Sequence, residues 1–598
     1  MEKLKKIVGN NLFIFNFLVH HIPLYVILTI VLYVAKGLLQ SFSNVWLVER
    51  VIDGISSDNT YSSIIAPVVF FSIYALLVGF FNGMFLEITE KIYKQKFTDK
   101  MRMLLYKKAI ECDINQYDSI EFYNNFIWSA KEIDNRSFAV FQSIVMFVQR
   151  ITVISSTIIF LTSMNKWILI AVVISCIVNF YFTIKQNKVQ FELSKQMNFL
   201  ARKRGYVGRV VHSPEYAKEL RTSKIGEVLL SMYYKTTDEM ESEIKTKSKP
   251  LWRYELLKKG LGEDIFVTLI SVLVLSWQVL RETISIGTFV ASYNGVQIIY
   301  SSLSFILGRA ASFSDSSLYI EKFKSFWFYT PCITSDAEAL IPHNTESLKF
   351  DNVSFFYENT SRQILRDISF EFGKPQKIAI VGSNGAGKTT LIKILLRLYD
   401  AKRGFVLHNN VDVKKLDLGS YRKTFSCLFQ DFNLYACSLG ENIAMNSAEN
   451  INKQKLSLAI SNSGFEEKFE SFTNGIGTPI TKEFDNSGII LSGGEKQKLA
   501  IARVLYQDAD CYILDEPTAA LDPTAEAEFN HKIMEYSEEK LLIIISHRLT
   551  ITRFVDTIIV LDNGEICELG SHADLIQKGG RYARLYEMQS SQYWDTNR

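Results

Sequence analysis

Apolar residues follow two different rhythms along this chain. Through the first half they form long, nearly unbroken runs. Through the second half they form short, β-branched bursts, each closed by glycine, serine, glutamine or acidic residues. A membrane span needs about 20 mainly apolar residues, and six stretches qualify: 22–45, 63–86, 138–161, 167–182, 265–280 and 287–307. The bursts at 348–357, 364–372, 377–381, 425–429 and 541–545, and one ending at Leu514, predict buried strands. The pattern therefore predicts an α-helical membrane domain followed by a soluble α/β domain. Residues 3–21, basic and then aromatic, predict an amphipathic helix along the inner surface.

Charge sets the expected orientation. The connection after the second span carries Lys91, Lys94, Lys96, Lys100, Arg102, Lys107 and Lys108. The one after the fourth carries Lys185, Lys188, Lys195, Arg202, Lys203, Arg204 and Arg209. Basic residues flank the cytoplasmic side, so both long connections and both termini are expected inside, in a multi-pass protein of the plasma membrane. The connections at 53–62, 162–166 and 281–286 are short and expected outside. Helical patterning continues through the long connections, and each contains a turn, at 113–124 and at 213–221. Asp and Asn residues are expected to cap the first turn, and Pro214 to open the second. Within the spans lie Lys36, Gln40, Asn82, Gln142, Gln149, Arg150, Asn179, Asn294 and Gln297, which are expected to face a cavity or a partner. Tyr293 and Tyr300 read as packing aromatics.

Composition changes this picture little. The chain has 598 residues and a net charge of +3, which gives no case for nucleic-acid binding. Its seven cysteines are dispersed without metal-ligand spacing, as in reduced thiols facing a cytosol. No cleavable signal peptide is evident. Hydrophobicity falls after Leu307, and Pro331 and Pro342 break helix continuity. The expected division is a membrane domain over 1–325, a linker over 326–345 and a nucleotide-binding domain over 346–598.

The candidate chemistry lies in the second half. Residues 382–389 read G-x-x-x-x-G-K-T between a strand and a helix. Glycines let successive N–H groups curl around a phosphate, and the helix start adds its dipole. Lys388 reaches the β- and γ-phosphates, and the Thr389 hydroxyl suits Mg²⁺. Downstream, Gln430 closes an apolar run. Leu491-Ser-Gly-Gly-Glu495 precedes a helix expected from Lys496. Asp515-Glu516 ends a buried strand, where a carboxylate pair can hold Mg²⁺ and orient water. Ala520-Leu-Asp522 follows, and Ser546-His547 ends a further strand.

In order and spacing these motifs resemble the nucleotide-binding domain of ABC transporters. The membrane half resembles the type I exporter arrangement of that family, fused to a P-loop NTPase domain of ABC type. The resemblance implies ATP and Mg²⁺ as cofactors. It implies a phosphate loop formed by Gly382, Ser383, Asn384, Gly385, Ala386, Gly387, Lys388, Thr389 and Thr390, and an adenine-stacking aromatic at Tyr357. It makes Gln430 the loop glutamine near Mg²⁺, Asp515 the aspartate on the Mg²⁺ side, Glu516 the general base and His547 the switch histidine. Ser492, Gly493 and Gly494, with Asp522 close by, would complete a site on another subunit. Glu495 stands where glutamine is commoner in the family. One phosphate loop and one signature per chain imply a second half-transporter, with a homodimer favoured over a heterodimer.

Residues 482–494, the turn at 118–124 and residues 516–523 resemble Gram-positive half-transporters, a group that exports lantibiotics and other ribosomal peptides and includes multidrug proteins. About 20 residues precede the first span, leaving no room for a cysteine-peptidase domain. The expected activity is ATP-driven export of a peptide by alternating access. Export of lipids or hydrophobic small molecules is the alternative, and an ATP-gated channel or regulator is a third reading.

Overall fold

In the computed structural model, described over residues 2–56, 61–164, 168–336, 338–358, 360, 362–519 and 521–594, the chain forms two compact units. One comprises Met1–Glu111 and Glu121–Tyr329; the other comprises Cys112–Ile120 and Thr330–Arg598. The turn at 113–120 thus belongs with the second unit, although it interrupts the first in sequence. Residues 57–60 and 165–167, which touch two of the expected loops and the fourth span, lie outside the described residues. So does Ala520.

The first unit is helical: α1 (Glu2–His21), α2 (Pro23–Ser56), α3 (61–111), α4 (Ile114–Tyr117, counted with the second unit), α5 (Ile120–Met164), α6 (Ile168–His212), α7 (Ala217–Thr222), α8 (Ile225–Leu280) and α9 (Ile286–Trp327). Among the described residues, four helical stretches are long and apolar enough to cross a membrane: Pro23–Ser56, Ile64–Glu111, Ser137–Thr162 and Ile225–Leu280. The remaining two expected spans lie at the starts of α6 and α9. The helices far outrun the apolar windows. At 1.5 Å per residue the 45 residues of α6 extend about 67 Å, against a hydrocarbon core of about 30 Å. After Leu307, where hydrophobicity falls, the chain continues as helix to Trp327. Tyr319, Ile320, Phe323 and Phe326 are buried there, where α1 docks through Asn10 on Ser317 (3.0 Å) and Asn11 on the Phe313 carbonyl (3.1 Å).

Several polar residues of the spans are partnered inside this unit. Asn179 bonds Ser304, Asn294 donates to the Asn44 carbonyl at 3.1 Å, and Gln297 donates to Thr268 and Tyr293 at 3.2 and 3.1 Å. Gln142 donates to Glu90 at 2.7 Å. Arg150 and Lys36 each lie over an aromatic ring, Phe305 and Tyr33. Tyr300 packs in an apolar cluster with Val296 and Ile299, as its sequence setting predicts. Pro214 opens a short 3₁₀ turn before α7. Asp113, expected to cap α4, makes no such bond. Both its carboxylate oxygens accept from the chain after Thr330 instead: Cys332 N–H at 2.7 Å and Ile333 N–H at 3.2 Å.

The second unit is built on two sheets. Strands β1 (Ser347–Phe355), β2 (Leu365–Gly373), β4 (Arg403–His408) and β5 (Val411–Asp412) form an antiparallel sheet in the order β2-β1-β4-β5. Strands β3 (Lys377–Gly382), β6 (Phe425–Leu428), β7 (Cys511–Asp515), β8 (Leu541–Ile545), β9 (Thr557–Asp562) and β10 (Glu565–Gly570) form the other, in the order β10-β9-β3-β8-β7-β6. The latter is parallel except for β10. Every residue of β7 and β8 is buried, which explains their unbroken apolar sequence. Phe350, Phe355, Ile378, Ile380 and Leu391 join one core between the sheets. A separate cluster containing Leu439, Ile443, Phe465, Leu491 and Leu499 supports α11 (Leu439–Ala444) and the signature segment. All seven cysteines are free thiols.

Candidate functional site

Parallel strands present their carboxyl ends on one edge of the sheet, where a doubly wound fold binds ligands. In register, β3 Ile380 faces β8 Ile545, and β7 Asp515 faces Ile545 from the other side. Gly382, Asp515-Glu516 and Ser546-His547 therefore leave the sheet at one level.

The phosphate loop depends on close approach. A Cβ on Gly382 would lie 2.2 Å from the Leu561 carbonyl oxygen. Gly387 has φ +105°, and its Cβ would lie 2.7 Å from Leu365 Cδ2. Ser383, Asn384 and Gly385 are exposed at the loop apex, while Ala386, Gly387 and Lys388 are buried. Lys388 opens α10 (Lys388–Leu395) and curls over its own loop. Its ammonium donates to the Gly382 and Ser383 carbonyls at 2.9 and 3.0 Å. Burial lowers its pKa, and the nearby Glu516 and Asp515 carboxylates oppose that shift.

Next to the loop, Thr389 Oγ1 donates to Asp515 Oδ2 at 3.0 Å. Asp515 is buried, which raises its carboxyl pKa; the Thr389 bond acts against this, and Glu516 adds to it. Two hard oxygens from adjacent elements are the kind of donors Mg²⁺ takes from a protein.

Glu516 is the centre of the cluster. Its Oε2 accepts from Gln430 Nε2 at 3.0 Å, and its Oε1 lies 3.1 Å from His547 Nε2. Its backbone adopts φ +52°, a left-handed conformation unfavourable to a side-chain-bearing residue. Three contacts hold it there: its N–H donates to the Ile545 carbonyl at 2.9 Å, and its carbonyl accepts from Gln497 Nε2 at 3.1 Å and from Ala519 N–H at 3.3 Å. Burial, then the Lys388 charge, pushes His547 below the ordinary histidine pKa, with Glu516 opposing. The shift favours the neutral ring, whose Nε2 is within hydrogen-bonding distance of Glu516.

Tyr357 lies just past β1, with its hydroxyl 3.1 Å from that of Thr390. Its ring meets Phe355 and Tyr399 edge-on, at 5.0 and 5.3 Å between centroids. Tyr399 in turn donates to Asp118 at 2.6 Å, joining this aromatic group to the turn at 113–120.

Ser492, Gly493, Gly494 and Asp522 stand outside this hydrogen-bonded cluster. The helix expected from Lys496 begins earlier, as α12 (Gly493–Gln507), because Ser492 caps it. Ser492 Oγ accepts from Glu495 N–H, and Glu495 accepts from Ser492 N–H at 2.8 Å, a reciprocal capping box. Glu495 also pairs with Lys468 at 3.0 Å. An acidic residue at this position therefore has a local reason. Asp522 caps the helix Pro523–Tyr536, accepting from Thr524 and Ala525 N–H at 3.0 and 2.9 Å.

The motifs do not point to Gln497 or Tyr399. Gln497 leaves one trace in the sequence, a lone polar position on the apolar face of α12 beside Ala500, Ile501 and Val504. Tyr399 leaves none, because its partner lies 281 residues away.

Comparison with known proteins agrees with this geometry. Residues 365–519 match the ABC transporter family. The chain is 29% identical over 523 residues to the subtilin transport ATP-binding protein SpaT of Bacillus subtilis, covering 86% of this chain and 84% of that one. It is 36% identical over 243 residues to an ATP-dependent lipid A-core flippase of Coxiella burnetii, 41% of each chain. The structure of a bacterial Atm1-family ABC exporter with ATP bound superposes with a TM-score of 0.79 at 22% identity, covering 94% of this chain and 98% of that one. The second unit therefore carries an ABC transporter domain, the part that binds and hydrolyses ATP, and with its phosphate loop, its carboxylate pair at the sheet edge and the helical unit before it the chain resembles the half-exporters of that family.

Proposed function

We propose that this chain exports a peptide across the plasma membrane as a homodimer, with the soluble unit and both termini in the cytoplasm. The observation that carries the hydrolytic part is the Gln430–Glu516–His547 chain of hydrogen bonds beside the phosphate loop. In this reading the loop from Gly382 to Thr390 cradles the phosphates, and Lys388 turns from its own carbonyls toward them. Tyr357 stacks on the adenine. Thr389, Asp515 and Gln430 hold Mg²⁺, which when bound neutralises phosphate charge. Glu516 takes the proton of the attacking water, oriented by its left-handed backbone and by Gln430. His547 donates toward the terminal phosphate. Ser492, Gly493 and Gly494 close over ATP held by the partner, and Asp522 sits at the same interface. Two such composite sites form in a homodimer, and hydrolysis by Glu516 reopens them, driving alternating access.

The length of each likeness supports a peptide cargo. The SpaT match, over 86% of the chain, necessarily runs through much of the membrane unit, where cargo is selected. The flippase match, at 41%, is shorter than the soluble unit and supports lipid export less. The test is ATP hydrolysis by the full-length protein in nanodiscs with a panel of leader-bearing peptides, lipids and dyes. Stimulation by peptides supports the assignment; stimulation by lipids or dyes alone refutes it.

A further inference from the structure

The ring of His547 is 42% exposed, so packing does not fix it. Its position has to come from its backbone, and β8 ends at Ile545, two residues earlier. Beyond that strand the ladder offers no partners, and each peptide group of the loop needs another.

One side chain on the helix Arg581–Trp594 supplies two of them. Gln589 Nε2 donates to the His547 carbonyl at 2.6 Å, and Gln589 Oε1 accepts the N–H of Leu549 at 3.0 Å. A single amide therefore clasps the loop on both sides of Arg548. The helix carrying it is itself anchored. Tyr582, fully buried, shares a hydrogen bond with Thr552 at 2.6 Å and another with His572 at 2.7 Å. Gln589 lies seven residues on, two turns along the same helix face. The Arg548 side chain points elsewhere, to Glu526, which also accepts from Thr550.

The geometry points to Gln589 as a positioning residue for hydrolysis, acting through His547. It holds the His547 peptide so that the exposed imidazole meets Glu516 instead of sampling solvent. This rests on the role given to His547 above.

The test uses the full-length protein in nanodiscs. Gln589→Ala lowers kcat about tenfold, the effect of loosening one or two hydrogen bonds, with KM for ATP within about twofold. Gln589→Glu keeps the acceptor for Leu549 but loses the donor to His547, and falls between. Gln589→Ala adds nothing to His547→Ala. Amide exchange over residues 546–550 quickens in Gln589→Ala while β7 stays protected. Wild-type kcat in Gln589→Ala, a further loss in the double variant, or exchange quickening equally in β7 would each overturn the proposal. Should His547→Ala keep full turnover, the role given to His547 falls. Exchange over 546–550 then decides the clasp alone: faster exchange upholds it and unchanged exchange overturns it.

Discussion

Replacing Glu516 with Gln separates chemistry from structure at this site. The carboxylate accepts from Gln430 at 3.0 Å and lies 3.1 Å from His547, and its side chain is 18% exposed. Charge-assisted hydrogen bonds contribute about 1.5–3 kcal/mol each when a partner is simply deleted. Gln deletes neither the shape nor all of the acceptors. Its amide oxygen can take the His547 proton, and the Gln430 amide can turn to present its own oxygen to the new NH₂. The stability cost should therefore stay below about 1.5 kcal/mol. The lost basicity is larger: removing a general base costs about 10²–10⁴ in rate, or roughly 3–5.5 kcal/mol. Phosphate release at saturating ATP should fall at least a hundredfold, with ATP retained and the melting temperature nearly unchanged. Trapped ATP should accumulate in a closed dimer. Phosphate release within about tenfold of the parent chain refutes the assignment of Glu516 as base. Loss of ATP binding refutes the claim that the change is purely chemical.

Three further outcomes follow from particular contacts. Gly387→Ala places a methyl 2.7 Å from Leu365 Cδ2 at φ +105°, so it should cost about 2–3 kcal/mol and lower the soluble unit's melting temperature; an unchanged melt refutes the steric account. Asp118→Asn weakens the Tyr399 bond, and peptide-stimulated ATPase should lose more than basal ATPase; equal losses argue that the turn is only structural. In nucleotide-free protein His547 should take up its proton only below pH 6.5, because burial and Lys388 disfavour the cation. The unfolded chain binds that proton first, so this group's contribution to stability is lost as pH falls below 6.5; an imidazole NMR midpoint above 6.5 refutes it.

Much of this protein is written in local order. The glycine spacing of 382–389, the carboxylate pair after an apolar run and the Ser-His after another are linear signals, because each is a strand end that the sheet must present on one edge. The long apolar runs mark helices for the same reason: a buried backbone must satisfy itself within its own segment. What is not local was not legible. The α9 helix continues through a polar stretch because α1 covers it, and nothing in residues 308–327 announces that. Asp113 reads as a cap, yet it binds Cys332 and Ile333, more than 200 residues away. The left-handed Glu516, held by Ile545 and Gln497, and the Gln589 clasp on the switch loop arise only when separate strands and helices meet. The sequence by itself determined the chemistry available, because residue types and strand-end positions are local properties. The tertiary structure alone decided how those groups are aimed, because aiming depends on hydrogen-bond partners distant in the chain.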